Sequence, residues 1–331
     1  MNFFYILYQP FAAVCRAGTI FTFYVFMRYG YASINLTLAG QKIRMNRSMI
    51  KRMFAEKGLP YASQLALANI GDLEKLIDWN IENGLLFHRM SSDLVPWMSE
   101  YELPDLPDYA QIRDILARCG QKAAATGFRL TFHPGPFNVL ASNSASVVTK
   151  TSKELRQHAE IMDLLGLPVT PFAKINIHVG GAFGDKPLAL GRFAENYLRL
   201  PVNTRQRLSI ENDDKINMFS VHDLLRLHRE VGIPITFDYF HHEFCTGGLS
   251  EEEAFRAAVD TWPAGITPVV HFSSSKKKRE DPAALPTAHA DYIYSRVNTY
   301  NREVDIMFEA KAKELAVLKY IDDYKIKLHE R

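Results

Sequence analysis

A chain of 331 residues, 47% hydrophobic, 23% charged and 12% aromatic, is ordinary globular material, long enough for one large α/β barrel or two average domains. A formal net charge of +2 marks no partner by bulk electrostatics, so a nucleic-acid ligand would need a local basic face. Cys15, Cys119 and Cys245 are widely spaced with no C-x-x-C pair, the usage of reduced thiols in a cytosol-like compartment.

Residues 1–26 are apolar and aromatic with one basic side chain, Arg16. Gln9-Pro10 and Arg16 break the run into pieces too short to span a bilayer, and no positive region precedes it as in a signal peptide. The segment reads as a docked arm, or as sequence ahead of a true start at Met27, in preference to a membrane anchor; residues 27–331 read as one domain. Arg28–Asn35 reads as a first strand and its loop. Helices follow over 46–57, ended by Gly58, and over 61–83, ended by Asn83-Gly84. Residues 85–92 form the next strand, and 107–127 contain an amphipathic helix.

From there the alternation is regular. Strands at 128–133, 173–178, 206–211, 233–238 and 267–272 are separated by helices at 151–166, 186–199, 220–231 and 250–260. An irregular basic stretch, a strand at 303–309 and a helix from about 310 complete the chain. Strands alternating with helices imply right-handed crossovers and parallel pairing, and eight strands close a (β/α)8 barrel. Neither an internal repeat nor a linker divides the chain.

Seven of the eight strands share a feature that packing does not explain, a histidine or a carboxylate at or near the end: His88, His133, His178, Glu211, Asp238, His271 and Glu309. A buried polar group without a partner costs roughly 1–3 kcal/mol, and a buried charge more. In a barrel these strand ends open onto one face, where a shared ion would satisfy them together. Asp238 and His241, three residues apart at a strand end, strengthen the pattern. Imidazoles and carboxylates without a thiolate suit Mn, Zn or Fe, and their number points to at least two ions. Ions of this kind suit phosphodiester hydrolysis, and equally the isomerisation of a sugar held by two oxygens.

The sequence also resembles the UV damage endonucleases, relatives of the endonuclease IV barrels. The resemblance spans about residues 27–320 and is carried by segments 28–38, 87–97, Phe-His-Pro-Gly 132–135, Ile-His-Val-Gly-Gly 177–181, Ile-Glu-Asn-Asp 210–213, Phe-Asp-Tyr-Phe-His-His 237–242, His-Phe-Ser-Ser 271–274, His-Ala-Asp-Tyr-Ile 289–293 and 305–314. It implies a TIM barrel of the xylose isomerase and endonuclease IV type, and a DNA repair nuclease that nicks 5′ to ultraviolet photoproducts with a cluster of two to three ions, manganese first. Carried over residue by residue, it makes His133, His178, Glu211, Asp238, His241, His271, His289 and Glu309 metal ligands. It places Tyr31 and His88 near the scissile phosphate, as catalytic partners of Glu211. Asn212 and His242 are expected to support the ligands, and the enzyme is expected to act as a monomer wherever the genome resides, in the cytoplasm of a bacterial-type cell.

Two positions depart from the family pattern. A lysine two residues before the strand-seven histidine, expected as a carbamate that helps bind the metals, is replaced by Val269. Gln and an aromatic after His-Pro-Gly are replaced by Pro136-Phe137, of which Phe137 still offers a wedge for a base stack. Lys276, Lys277, Lys278 and Arg279, with Lys150 and Lys153, supply basic contacts for DNA phosphates on the expected site face. A sugar isomerase or epimerase, and a lesion-binding protein whose catalysis has decayed, are the alternatives.

Overall fold

In the computed structural model, which describes residues 27–326 and 328, eight short strands run parallel in chain order and close into a barrel. They are β1 (Tyr29–Ala32), β2 (Phe87–Met90), β3 (Arg129–Phe132), β4 (Ile175–Ile177), β5 (Leu208–Glu211), β6 (Ile235–Asp238), β7 (Val269–Phe272) and β8 (Asp305–Phe308). Each is shorter than the sequence pattern suggests. His133, His178 and Glu309 stand one residue beyond their ladders, where the chain turns outward at the rim. The expectation for residues 1–26 lies outside the described residues.

The helices form the outer layer: α1 (Leu36–Gly40), α2 (Lys51–Glu82), α3 (Tyr109–Thr126), α4 (Ala145–Leu164), α5 (Lys186–Leu198), α6 (Val202–Arg205), α7 (Val221–Val231), α8 (Tyr239–His242), α9 (Glu251–Val259), α10 (Lys276–Arg279) and α11 (Lys313–Asp323). The two helices expected on either side of Gly58 form one run with a kink. Gly58 has φ 62° and ψ −156°, a conformation that a Cβ resists, and Pro60 follows without an N–H. Ser220 and Ser250 open α7 and α9 with reciprocal capping boxes to Asp223 and Glu253. No helix among the described residues is long and apolar enough to cross a membrane.

Barrel strands are buried on both faces, so alternation separates side chains that face the axis from those that face the helices. On β1 and β2 the division is sharp. Ala32 and Phe87 meet Trp262, Val269 and Met307 inside the barrel, and a Cβ on Gly30 would lie 2.7 Å from the Phe87 ring. Tyr31 points the other way, its hydroxyl donating to Asn80 of α2 at 3.0 Å.

The floor of the barrel is closed by a charge. Arg129, fully buried, lies 2.8 Å from Asp305 and donates to the carbonyls of Pro171, Phe172 and Thr267 at 2.7–2.9 Å. Phe87, Phe172 and Trp262 pack around its guanidinium. Asp305 also accepts from the backbone N–H of Arg28 at 2.9 Å, which ties the start of β1 to β8.

Candidate metal centre

At the opposite end of the barrel the eight predicted ligands converge. Glu211, on β5, is fully buried at the centre: Oε2 lies 3.1 Å from His133 Nε2 and 3.9 Å from His178 Nε2, and Oε1 lies 3.1 Å from His271 Nδ1 and 3.4 Å from His241 Nδ1. Glu309 Oε1 approaches His271 Nδ1 at 3.3 Å, and its Oε2 lies 3.7 Å from His289 Nδ1. Asp238 caps α8, its Oδ1 accepting from the N–H of His241 at 2.8 Å. His289 comes from the loop after α10 and is bridged to Ser275, so it reaches the cluster without belonging to a barrel strand.

Two groups of donors lie close enough to share an ion. One joins His133, His178 and Glu211, the other Glu211, Asp238 and His271, with each group's ligand atoms within 4.8 Å of one another. Glu211 belongs to both. Glu211 Oε1, Asp238 Oδ2 and His271 Nδ1 are buried without a hydrogen-bond partner among the described residues, a costly state for three polar atoms facing one space. A divalent cation satisfies all three, so the residues present fit a metal cluster.

The outer nitrogens of the rings are anchored, as metal-bound imidazoles require. His133, His241 and His289 donate Nδ1–H to the carbonyls of Pro134, Asn212 and Glu309 at 3.1, 2.9 and 2.9 Å. His178 Nδ1 lies 3.0 Å from Asp213. His271 is turned round: its Nε2 is engaged, 3.0 Å from Lys174 Nζ, and Nδ1 faces the carboxylates.

Burial pushes the charged forms apart from their ordinary ranges, and neighbours decide the sign. Burial alone would raise Glu211, but His271 and His178 hold it well below the usual carboxylate range. Glu309 is likewise held well down against burial by Arg89 and His271. Burial raises Asp238 to about 7, and drops His271 to about 3. His241 rises to about 10 despite burial because Asp238, Glu211 and Glu309 surround it.

Other expectations are placed differently. His88 and Tyr31 do not face the mouth. The Tyr31 hydroxyl is held by Asn80 and Asn35, and the His88 ring packs edge-on against Tyr31 at 4.8 Å, with both residues fully buried on the helix side of their strands. Alternation puts the neighbour of His88 inside: Arg89 reaches in from β2 and pairs with Glu309. His242, expected to support a ligand, instead packs its ring 5.4 Å from Phe237 on the helix side of β6. The Asn212 side chain exchanges hydrogen bonds with the backbone of Asp238 at 2.9 and 3.0 Å.

Val269 lies in the apolar interior cluster, and the barrel's interior lysine comes from the start of β4 as Lys174. Arg89, Lys174 and Asn176, whose amide donates to Glu211, are the site residues that strand-end inspection missed. Their signal was alternation: each stands on the axis-facing register of its strand, short of the rim.

Beside the cluster opens a cleft of about 350 Å³ lined by Pro134, Pro136, Asn138, His178, Met218 and His241. Phe137, on the same loop, is 88% exposed, an unusual state for its ring. The basic stretch is partly neutralised: Lys276 lies 3.2 Å from Asp291, Lys278 pairs with Glu243 and Lys153 lies 3.3 Å from Glu102. Among the described residues, Lys277, Arg279 and Lys150 form no ion pair.

A model of the UV-endonuclease UvdE family matches residues 27–330. The chain is 30% identical to the UV DNA damage endonuclease of Bacillus cereus (strain G9842) over 313 residues, covering 90% of this chain and 94% of that one. It is 35% identical to the UV-damage endonuclease of Schizosaccharomyces pombe over 90% of this chain and 51% of the longer fungal protein. The crystal structure of SacUVDE aligns with a TM-score of 0.77 at 31% identity, covering 91% of this chain and 99% of that one. Endonuclease IV from Thermus thermophilus, at 13% identity and a TM-score of 0.51, shares the fold over 90% of this chain and 98% of its own. A match that begins where the barrel begins and runs through its last helix leaves one assignment: the chain belongs to the UV-endonuclease UvdE family.

Proposed function

We propose that this chain is a DNA-repair endonuclease that nicks duplex DNA 5′ to ultraviolet photoproducts, leaving a 3′-hydroxyl and a 5′-phosphate. The eight residues gathered at the mouth would hold two or three divalent ions, manganese first. The observation that carries the reading is Glu211, a fully buried carboxylate shared by two sets of donors in a barrel of this family.

Bound there, divalent ions would lower the pKa of an attacking water and neutralise charge on the phosphodiester. The protein's own groups do the rest. Asp238 offers the same donor set a buried Oδ2 without a hydrogen-bond partner among the described residues, while its Oδ1 accepts from the N–H of His241 and so fixes the two residues relative to each other. Arg89 keeps a positive charge beside Glu309 at the mouth, where it would face a nonbridging phosphate oxygen. Lys277 and Arg279, which form no ion pair among the described residues, are the members of the basic stretch available to the DNA backbone.

Phe137 is the wedge in this reading, since an exposed ring on the loop beside the cleft can stack on bases opened at a lesion. Pro136 beside it offers shape but no side-chain hydrogen bond. Stacking of one base on an aromatic ring is worth about 1–3 kcal/mol. Phe137→Ala should therefore reduce the preference for irradiated over undamaged duplex, measured by gel retention in chelator, by about tenfold. An unaltered preference would remove Phe137 from lesion recognition.

The deciding experiment is nicking of supercoiled plasmid with Mn(II), comparing ultraviolet-irradiated, abasic and undamaged DNA. Nicking confined to irradiated plasmid, abolished by EDTA and restored by excess Mn(II), is the expected outcome. Retention without nicking would leave a binding protein, and cleavage of abasic plasmid alone would move the specificity toward that of an abasic-site nuclease.

A further inference from the structure

Beneath the metal centre runs a line of buried polar side chains that no strand-end ligand accounts for. Lys174 Nζ donates to Thr236 Oγ1 at 3.1 Å, Thr236 donates to Ser209 Oγ at 3.2 Å, and Ser209 donates to Asn176 Oδ1 at 2.8 Å. The Asn176 amide then donates to Glu211 Oε2. The run thus ends at one side on Glu211 and at the other on His271, whose Nε2 lies 3.0 Å from Lys174 Nζ. Lys174, Asn176, Ser209, Thr236, Glu211 and His271 are all 0% exposed, and they come from four neighbouring strands or strand starts, β4 to β7.

Placing a lysine there is expensive, because an amine and three further polar groups leave water to enter the barrel. An apolar layer would pack the same space, as it does around Val269. The arrangement makes sense through what it holds. Three of the five ligand histidines fix their rings by donating Nδ1–H to a backbone carbonyl, and His178 uses Asp213. His271 has neither kind of anchor, and its ring orientation rests on Lys174. With Nε2 engaged below, Nδ1 is left facing Glu211 and Glu309 above.

We infer that Lys174 is a positioning residue of the metal centre: it sets the His271 ring directly, and the Glu211 carboxylate through Thr236, Ser209 and Asn176. Both groups it orients belong to the Glu211–Asp238–His271 set, so its effect falls on the divalent ion held there. The inference rests on the metal-dependent reading above.

The test is direct Mn(II) binding to purified full-length protein, read by the electron paramagnetic resonance of free ion, for the parent and for Lys174→Met. Methionine keeps most of the length and removes every hydrogen bond. Loss of a group that orients a ligand typically weakens metal affinity 10–100-fold, and that loss is expected for the more weakly held ion. The melting temperature of metal-free Lys174→Met should stay near that of the parent, whereas the rise on adding Mn(II) should shrink. A merely structural lysine would lower both melting temperatures alike. Mn(II) affinity within twofold of the parent overturns the proposal. If Lys174→Met does not fold, Thr236→Val carries the test, with a several-fold weakening expected and none overturning it. A parent that binds no Mn(II) sinks the metal reading itself, and this inference with it.

Discussion

Glu211→Gln is expected to lower nicking by three orders of magnitude or more, about 4 kcal/mol of lost transition-state stabilisation. Glu211 places oxygens 3.1–3.9 Å from nitrogens of His133, His178, His241 and His271, and it belongs to both groups of converging donors. Glutamine keeps the shape, but it carries no charge and brings an N–H2 that points donors at His133 Nε2 or His271 Nδ1, nitrogens meant for an ion. Bound Mn(II) should fall in parallel with activity. Retention of irradiated DNA in chelator should survive within a few-fold, because a fully buried side chain offers DNA nothing to touch. Turnover near that of the parent would remove Glu211 from the ligand set, and loss of DNA retention together with nicking would point to misfolding instead.

The second large effect is expected far from the chemistry. Asp305→Ala should cost about 3–5 kcal/mol of stability, read as a lower midpoint in urea, because it leaves Arg129 charged at the barrel floor without a counter-ion. Both side chains are 0% exposed, so water cannot take over from the lost carboxylate. The carbonyls of Pro171, Phe172 and Thr267 continue to accept from the guanidinium, which limits the loss. Asp305 also anchors the N–H of Arg28, so the closure of β1 on β8 should loosen, with faster amide exchange at the start of β1 as its signature. A change of less than 1 kcal/mol would mean that Arg129 finds another partner.

The sequence alone determined the barrel and brought forward most of the candidate ligands, and for a definite reason. From β3 to β8 each strand is a short run with a histidine or a carboxylate within one residue of its end, and most of the helices between are long enough to show their own period. The break at each rim is therefore visible in one dimension, as at His133 and Glu211. His289 was legible only through family resemblance, since it sits in a loop fixed by a single bridge to Ser275. Only the tertiary structure decided which face of each strand looks inward. Strands buried on both sides carry no polar-outside register to reveal their parity, so His88 read as a mouth residue while its neighbour Arg89 takes that place. The same ambiguity hid Lys174: an interior lysine counts as a surface charge until eight strands close around it and His271 becomes its partner.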